Sequence, residues 1–440
     1  MSNPDTPRTY PETVEFLYAL GNEVKTIKLG LDRIRILLRA LGDPQNSYSI
    51  VHVAGTNGKG SVCAMIDAGL RAAGVRSGMF TSPHLIEPTE RIQIDGIPVS
   101  RADFERAFHA IHQISVQLEQ AGEIDAHPTY FESVTAMALW MFREQKVQTA
   151  VVEVGLGGRL DATNVVHPAL TVITPVDMDH QFYLGNTIEQ IAAEKAGILK
   201  PGVPAVFSRQ RPDVAGVLDA RAAELGIFVT HWEESGFQDA LLHSRGSRIS
   251  LAGYPILECN LPGEHQVENA ITAAQALIAL GVSPEGISEA RWPGRLEHVA
   301  PNPDVLLDGA HNPAGAQALR RYLERFYGNK RIWMIFGAMR DKAVDEVGVI
   351  LFPLAHELIF TAPQVPGYAQ RALTPPELIQ RAGRGHAEPT VEAAIQYALS
   401  HLSGAAAEED VILITGSLYL VGEARKHFLA TTLGRWPASL

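Results

Sequence analysis

The chain has little cysteine, with Cys63 and Cys259 the two such residues among 440. Two cysteines cannot build the disulfide framework of a small secreted domain, so they favour a reducing compartment. The opening residues, Met-Ser-Asn-Pro-Asp, lack a basic segment followed by an apolar one, and we expect no signal peptide. No apolar run is long enough to cross a bilayer. These absences predict a cytoplasmic location and no membrane partner.

Runs of one charge, low-complexity tracts and internal repeats are also missing, which argues against disordered tails and solenoid folds. The formal net charge of -12 disfavours non-specific binding to nucleic acid, and we expect no nucleic-acid partner. What is present is typical of a globular protein: 46% of residues are hydrophobic and 20% are charged. A chain of 440 residues has room for two or three domains.

The most informative segment lies between an apolar run at 49–54 that predicts a strand and a run at 61–73 that predicts a helix. It comprises Gly55, Thr56, Asn57, Gly58, Lys59, Gly60 and Ser61. This layout is that of a phosphate cradle, because glycines let backbone N–H groups converge on an anion and a lysine adds positive charge. The hydroxyl of Ser61 can ligate magnesium. The literal Walker pattern is not matched, since Gly60 separates Lys59 from Ser61, and the alternative is a Gly-rich surface turn with a solvated lysine.

Short apolar strands alternate with amphipathic helices along the chain, which is typical of a parallel sheet covered on both faces. Pro and Gly cluster over 291–303, and the alternation restarts at 304–307. We therefore predict an α/β protein with a P-loop-containing parallel-sheet domain over 1–297 and a smaller, Rossmann-like α/β domain over 298–440. Besides 61–73, helices are predicted at 102–120, 132–144, 187–199, 213–225, 266–280, 314–327, 391–402 and 418–429.

Two polar residues near predicted strand ends, and one within the predicted helix 187–199, are candidates for a metal site. Glu153 ends an otherwise apolar strand, where a carboxylate is costly unless it is paired or binds metal; the alternative is a half-exposed glutamate on an edge strand. His180 follows the next strand and could ligate a metal or shape a polar turn. By residue type alone, the simpler interpretation of Lys195 is a surface lysine near a helix end. Its other interpretation needs a lowered pKa, so that the neutral amine takes up carbon dioxide as a carbamate.

Further candidates lie at later strand-to-helix turns. Asn269 offers an amide for base recognition, or simply belongs to a capped helix start. Arg295 could contact phosphates or form an interdomain ion pair. Asp308 could accept hydrogen bonds from ribose, and His311 could meet a carboxylate or phosphate, although Asn312 nearby also suits a simple helix cap. Ser417 and the backbone N–H groups beside it could bind a small carboxylate.

Taken in order, the motifs resemble those of the folylpolyglutamate synthase/dihydrofolate synthase family of the Mur ligase superfamily, from about residue 29 to residue 419. The motifs are the phosphate loop, 81–85, 90–92, 130–132, 153–164, 179–180, 194–198, 265–270, 293–295, 308–313 and 415–417. Each motif is moderately specific by itself, whereas so many in one order make a strong match.

The resemblance implies an ATP-dependent amide ligase. ATP would phosphorylate a carboxylate of dihydropteroate or a folate, and the amine of L-glutamate would then displace phosphate from the acyl phosphate. The implied cofactors are ATP as co-substrate and Mg²⁺ at two sites, and the implied oligomeric state is a monomer. The alternative within the family is a folylpolyglutamate synthase without dihydrofolate synthase activity.

Residue roles follow from the resemblance by matching position. The implied catalytic residues are Lys59, Glu153, His180 and Lys195. The implied metal ligands are Ser61, Ser82, Glu153, His180 and carbamylated Lys195. The implied ATP contacts are the phosphate loop, Asn269, Arg295 and Asp308. The implied substrate contacts are Ser82, Arg159, Asp161, His311, Ser417 and Tyr419. Among these, Arg159 and Asp161 lie in a loop that resembles the pterin-binding region of bifunctional bacterial enzymes.

Two other classes of function share part of this pattern. A Mur-type ligase acting on a nucleotide-linked cell-wall precursor shares the chemistry, but it usually carries an additional N-terminal domain, and the phosphate loop here begins near residue 55. A non-enzymatic nucleotide-binding protein could retain the loop, but it has no need for Ser82, Glu153, His180 and Lys195 together. The sequence therefore favours the folate-linked glutamate ligase.

Overall fold

The fold is taken from a computed structural model that describes residues 9–21, 30–179, 181–364, 371–402 and 409–432. Helices are α1 Tyr10–Ala19, α2 Asp32–Ala40, α3 Lys59–Ala72, α4 Arg101–Gln120, α5 Tyr130–Glu144, α6 Gln181–Leu184, α7 Ile188–Ala196, α8 Pro212–Leu225, α9 Glu264–Ala279, α10 Pro313–Tyr327, α11 Val344–Leu351, α12 Pro375–Ala382, α13 Val391–His401 and α14 Leu418–Thr432. Among these described helices, none combines the length and apolarity needed to cross a membrane.

Strands group into three sheets. They are β1 Ser49–Ala54, β2 Ser77–Phe80, β3 Ile92–Ile94, β4 Ile97–Pro98, β5 Thr149–Glu153, β6 Leu170–Ile173, β7 Ala205–Phe207, β8 Val229–His231, β9 Phe237–His243, β10 Gly246–Leu251, β11 Leu257–Cys259, β12 Glu297–Pro301, β13 Asp304–Leu307, β14 Arg331–Phe336, β15 Glu357–Phe360, β16 His386–Ala387 and β17 Asp410–Thr415.

The chain divides into two compact units. The first contains residues 1–241, 248–260 and 266–291, and the second contains residues 242–247, 261–265 and 292–440. The second unit therefore takes two short pieces from earlier in the chain, among them the turn between β9 and β10. The sequence-based domain limits of 1–297 and 298–440 stay a prediction.

The large sheet of the first unit has the strand order β4-β3-β2-β5-β1-β6-β7-β8. In this spatial order, every pair of neighbouring strands from β2 through β5, β1, β6 and β7 to β8 is parallel. At the other edge, β3 pairs antiparallel with both β2 and β4. This confirms the predicted α/β class and adds an antiparallel edge to the parallel sheet. In the centre, β1 lies between β5 and β6, with Val53 opposite Glu153. The loop after β1 and the carboxylate that ends β5 are thus neighbours.

Two apolar cores cover this sheet. One joins α1, α2, α4 and α5 to residues of β1, β2 and β5, among them Ile50 and Val152. The other joins α7 and α8 to β6 and β7 through residues such as Ile191 and Phe207. Three of the covering helices, α4, α5 and α7, begin at side-chain caps. Before α5, the Thr129 hydroxyl accepts from Glu132 N while Glu132 reaches back to Thr129 N. These caps and cores fix the covering helices on the strands.

The second unit is a sheet of order β12-β13-β17-β14-β15-β16 with its own apolar core. Its neighbours pair in parallel except at β12, which is an antiparallel edge. Helix α10 begins at Pro313 with Asn312 as its N-cap, because Asn312 Oδ1 accepts from Gly315 N at 2.8 Å. The remaining strands, β9 to β11, form a small separate sheet of order β11-β10-β9.

Candidate active site

The phosphate loop turns sharply after β1. Gly55 has φ +147°, and a Cβ at this position would lie 1.9 Å from Thr174 Oγ1, so only glycine fits. The loop is held to the end of the neighbouring strand, because Thr56 N and Asn57 N donate to Pro175 O at 2.9 and 3.2 Å. The turn is therefore rigid before any ligand arrives.

Helix α3 starts directly from this loop at Lys59. Its N-cap is Gly58, which has φ +86° and gives no side-chain cap. An uncapped helix N-terminus presents backbone N–H donors and the positive end of the helix dipole to an anion. Lys59 Nζ donates to Thr56 O at 3.2 Å and lies 4.0 Å from Glu153 Oε1. The lysine ammonium is thus held over the loop, between the phosphate position and a carboxylate.

Glu153 is almost fully buried, with 3% of its surface exposed. Its Oε2 accepts a hydrogen bond from Ser82 N at 3.0 Å. The carboxylate therefore sits between the loop after β1 and the segment after β2, as expected for adjacent parallel strand ends. It is not a half-exposed glutamate on an edge strand, since β5 lies between β2 and β1.

Lys195 is buried on α7 with 4% exposure, and its Nζ donates to Gly55 O at 2.8 Å. Burial, reinforced by the positive charge of Lys59, lowers the pKa of Lys195 to about 7. The surface-lysine interpretation is therefore wrong, because the amine faces the phosphate loop and is partly neutral near neutral pH. The other predicted metal ligand, His180, lies outside the described residues.

Ser61 and Asn269 are linked by a residue to which the sequence reasoning gave no role. Gln266 Nε2 donates to Ser61 Oγ at 3.2 Å, and Asn269 Nδ2 donates to Gln266 Oε1 at 2.9 Å. Asn269 also packs on the loop, because a Cβ on Gly58 would lie 2.3 Å from its Oδ1. The one-turn spacing of Gln266 and Asn269 at the start of a helix was the signal that could have found this pair.

The loop after β5 folds back on itself and on α7. Asp161 is buried, and its Oδ2 accepts from Leu156 N at 2.9 Å while its Oδ1 accepts from Thr163 N at 2.9 Å. Burial raises the pKa of Asp161. Arg159 is more exposed, and its guanidinium donates to Glu194 Oε1 at 2.8 and 3.1 Å. The two predicted substrate contacts thus lie in one loop, with Arg159 already paired.

In the second unit the turn after β13 and the turn after β17 come together. Asp308 is buried, accepts from Leu296 N at 3.0 Å and from Ala310 N at 2.9 Å, and its pKa is raised by burial. A Cβ on Gly309 would lie 2.5 Å from Arg295 Nη1 and 2.3 Å from a methyl carbon of Leu418. The close approach brings Arg295 and Asp308 beside the start of α14.

The remaining predicted residues of this unit lie on the same two turns. His311 Nδ1 is 2.8 Å from Gly309 O, and the buried Ser417 Oγ accepts from Tyr419 N at 3.3 Å. Gly416, with φ +102°, lets the chain turn into α14. Tyr419 packs on a small cluster formed by Met339 and Ala372. These residues form a polar corner at the carboxyl ends of β13 and β17.

Oxygen donors suit magnesium, and the first unit offers a buried carboxylate from Glu153 beside Ser82, together with the buried Ser61 in the first turn of α3. Within the described ranges, no three His, Cys, Asp or Glu side chains converge as a ready-made metal site. Magnesium is commonly bound by one or two carboxylates together with substrate phosphates, so this donor set fits an ion that arrives with a nucleotide.

Comparison with known proteins gives matches over nearly the whole chain. Residues 53–277 match the Mur ligase middle domain and residues 294–418 match the Mur ligase, glutamate ligase domain. The dihydrofolate synthase/folylpolyglutamate synthase of Bacillus subtilis is 34% identical over 420 residues, which are 91% of this chain and 95% of the relative.

Solved structures agree with these matches. Mycobacterium tuberculosis folylpolyglutamate synthase complexed with ADP and AMPPCP has a TM-score of 0.88 at 35% identity, covering 97% of this chain and 99% of that one. Escherichia coli FolC in complex with DHPP and ADP has a TM-score of 0.84 at 30% identity, covering 98% of this chain and 100% of that one.

Proposed function

Because this chain belongs to the Mur ligase family and is one of its ATP-dependent acid–amino-acid ligases, we propose that it catalyses both reactions named for its bacterial relatives. It joins L-glutamate to dihydropteroate, and it extends folates by further glutamate residues. The observation that carries the proposal is the convergence of Lys59, Glu153 and Lys195 on the loop after β1. A binding protein has no use for a buried amine and a buried carboxylate beside a phosphate cradle.

In the first step, a carboxylate oxygen of the acid attacks the terminal phosphoryl group of ATP, and ADP leaves. The N-terminus of α3 and the Lys59 ammonium hold the transferring phosphoryl group and offset its negative charge. Asn269 and Gln266 brace the loop from α9. Ser61, Ser82 and Glu153 would hold Mg²⁺, which when bound neutralises phosphate charge.

In the second step, the amine of L-glutamate attacks the acyl phosphate, and phosphate leaves with one oxygen of the original carboxylate. We assign the amino acid to His311, Ser417 and Tyr419, where the start of α14 offers backbone N–H groups to a carboxylate. Arg295 and Asp308 are assigned to the nucleotide. Asp308 is suited to this because its carboxylate is already fixed by two backbone donors.

Lys195 is proposed to carry a carbamate. Its amine is buried and has a pKa of about 7, so a large neutral fraction is available to add carbon dioxide at neutral pH. The carbamate anion would lie near the Lys59 ammonium. The same positive charge that lowers the pKa of the Lys195 amine would stabilise the carbamate anion formed on it. His180 is proposed as a partner in the same metal environment.

Isotope transfer tests this function. The wild-type protein is incubated with ATP, L-glutamate and dihydropteroate that carries oxygen-18 in its carboxylate, and the liberated phosphate is analysed by mass spectrometry. We expect one labelled oxygen per phosphate, and ADP formation that requires both the acid and L-glutamate. Repeating the reaction with tetrahydrofolate separates the two activities. If tetrahydrofolate gives product and dihydropteroate gives none, the protein catalyses only the polyglutamate reaction. Unlabelled phosphate during product formation contradicts the acyl phosphate.

A further inference from the structure

A histidine lies in the middle of the large sheet, where no role has been given to it. His52 is on β1, is fully buried, and is flanked by Val152 of β5 and Thr171 of β6. A polar ring inside a sheet costs stability unless it makes hydrogen bonds. Burial lowers the pKa of His52 to about 3, so the ring is neutral and carries one proton.

The position of that proton follows from the hydrogen bonds. His52 Nε2 lies 2.9 Å from Thr163 Oγ1, and Thr163 Oγ1 lies 2.5 Å from Asp161 Oδ1. The hydroxyl has one proton, and it goes to Asp161, whose carboxylate oxygens also accept from Leu156 N and Thr163 N. His52 must then donate from Nε2. Its Nδ1 is left as an acceptor, and it has no hydrogen-bond partner among the described residues.

A buried relay therefore runs from β1 to the loop after β5, in the order His52, Thr163, Asp161. Thr163 is completely buried and Asp161 is 6% exposed, so water does not compete with these bonds. Within the relay, the Thr163 hydroxyl fixes Oδ1 of Asp161, while Leu156 N fixes Oδ2. The carboxylate consequently has one orientation before substrate arrives.

We propose that His52 is a positioning residue for the pteroyl acid, acting through Thr163 on the carboxylate of Asp161. This rests on the proposed function, in which Asp161 contacts that substrate. The competing explanation is that His52 only stabilises β1, which leads three residues later into the phosphate loop. A defect in β1 would weaken ATP binding, whereas a defect in the relay weakens binding of the acid.

Matched variants separate these explanations. His52→Gln places an amide donor where Nε2 lies, and His52→Met has similar length without a donor. Thr163→Ser keeps the hydroxyl, and Thr163→Val removes it. Thr135→Val is the control, because Thr135 is a buried threonine on α5 whose hydroxyl has no hydrogen-bond partner in the described structure.

Steady-state kinetics are measured with dihydropteroate and with ATP as the varied substrate. We expect the Met and Val variants at positions 52 and 163 to raise KM for dihydropteroate about tenfold, with KM for ATP within about twofold of wild type. The Gln, Ser and Thr135→Val variants should stay near wild type. An equal rise in both KM values, or no rise in either, overturns the proposal.

Nitrogen NMR of the wild-type protein gives a second measurement that does not depend on turnover. With ¹⁵N-labelled histidine, the ring signals absent from His52→Gln are those of His52. They should show the Nε2–H tautomer and no titration between about pH 5 and about pH 9. An Nδ1–H tautomer overturns the relay whatever kinetic constants the variants show. If turnover of the wild-type protein does not require dihydropteroate, the proposed function is wrong instead. The histidine spectrum still decides whether the relay exists.

Discussion

Two lysines approach the same short loop, and their environments give them different chemistry. Lys59 keeps a partly open position, with its ammonium 4.0 Å from the Glu153 carboxylate. Lys195 is buried and feels the charge of Lys59, so the neutral amine is favoured. One lysine is thus suited to neutralising phosphate, and the other to reacting as a nucleophile toward carbon dioxide.

The first prediction concerns pH. A protonated amine cannot add carbon dioxide, so the rate of carbamate formation follows the neutral fraction of Lys195. After carbon dioxide is removed, regain of activity at constant dissolved carbon dioxide should accelerate as the pH rises through about 7, and level off above it. An ordinary lysine would keep accelerating toward about pH 10.4. The measurement is turnover regained against time at each pH.

Two arginine variants complete this experiment. Lys195→Arg keeps a permanent charge and should show no activity after bicarbonate is added. Lys200→Arg is the matched control, since Lys200 is a half-buried lysine whose Nζ reaches Asn164 O at 3.5 Å, and it should regain activity like wild type. An active Lys195→Arg enzyme would show that the carbamate is not needed.

Residue types predicted part of this site, and contacts explain the rest. Glu153 was found because a carboxylate is out of place in an apolar strand. The same rule applies to His52, which is equally out of place in β1 but was not among the predicted residues. Arg159 shows the limit of the approach: no spacing in the sequence shows that its guanidinium pairs with Glu194, thirty-five positions later.

Among the elements, the segment after β2 depends on one carboxylate. Glu90 accepts hydrogen bonds from Leu85 N at 2.8 Å, Ile86 N at 3.1 Å and Glu87 N at 3.0 Å. These bonds close the turn that begins with Ser82, whose N–H donates to Glu153. Glu90 therefore holds Ser82 in place without reaching the site itself.

The prediction at this scale is that Glu90→Ala lowers the free energy of unfolding by about 2 kcal/mol, because three backbone donors lose a charged acceptor. Glu90→Gln should lose less, since its carbonyl keeps one acceptor. Turnover should fall with the same ranking. Urea unfolding and kcat measure the two effects.

A surface control makes this result specific. Glu119→Ala, on the exposed side of α4, should change neither quantity. If Glu90→Ala matches Glu119→Ala, the segment after β2 is held by other contacts, and the role given to Glu90 is wrong.

Elements with strong periodicity were predictable, and short edge elements were not. The run at 49–54 became β1 with the same bounds, and the helix predicted at 102–120 became α4 over 101–120. By contrast, β9 to β11 were missed, because β9 is largely exposed and shows no apolar alternation. The edge strands β3 and β4 were missed because two or three residues carry too little pattern.

At the scale of the whole molecule, both units place their polar residues at the carboxyl ends of parallel strands. In the first unit these are β1 and β5, and in the second they are β13 and β17. This placement is general for open α/β sheets, since the helix that follows each strand begins with free N–H groups. It explains why motifs scattered along the sequence collect into one corner within each unit.

The limit between the units is a property of the whole chain, and the sequence predicts it at 297/298. The predicted boundary of 297/298 falls inside β12, whereas the compact second unit takes in all residues from 292 onward. Leu296 belongs to the apolar core of that unit, and its N–H donates to Asp308. Glu297 pairs with Arg425, with Nε–O distances of 2.9 and 3.1 Å. These contacts indicate that the second unit needs the residues just before 298.

We therefore expect a fragment of residues 292–440 to be more stable than one of residues 298–440 by about 3 kcal/mol, because the shorter one loses the buried Leu296 side chain and a donor to Asp308. Urea unfolding followed by circular dichroism measures the difference. Leu296→Ala in the longer fragment should remove a large part of the advantage, while Arg291 added at its start should change nothing. Equal urea midpoints for the two fragments would support the predicted domain boundary at 297/298, because residues 292–297 would then add nothing to the stability of the second unit.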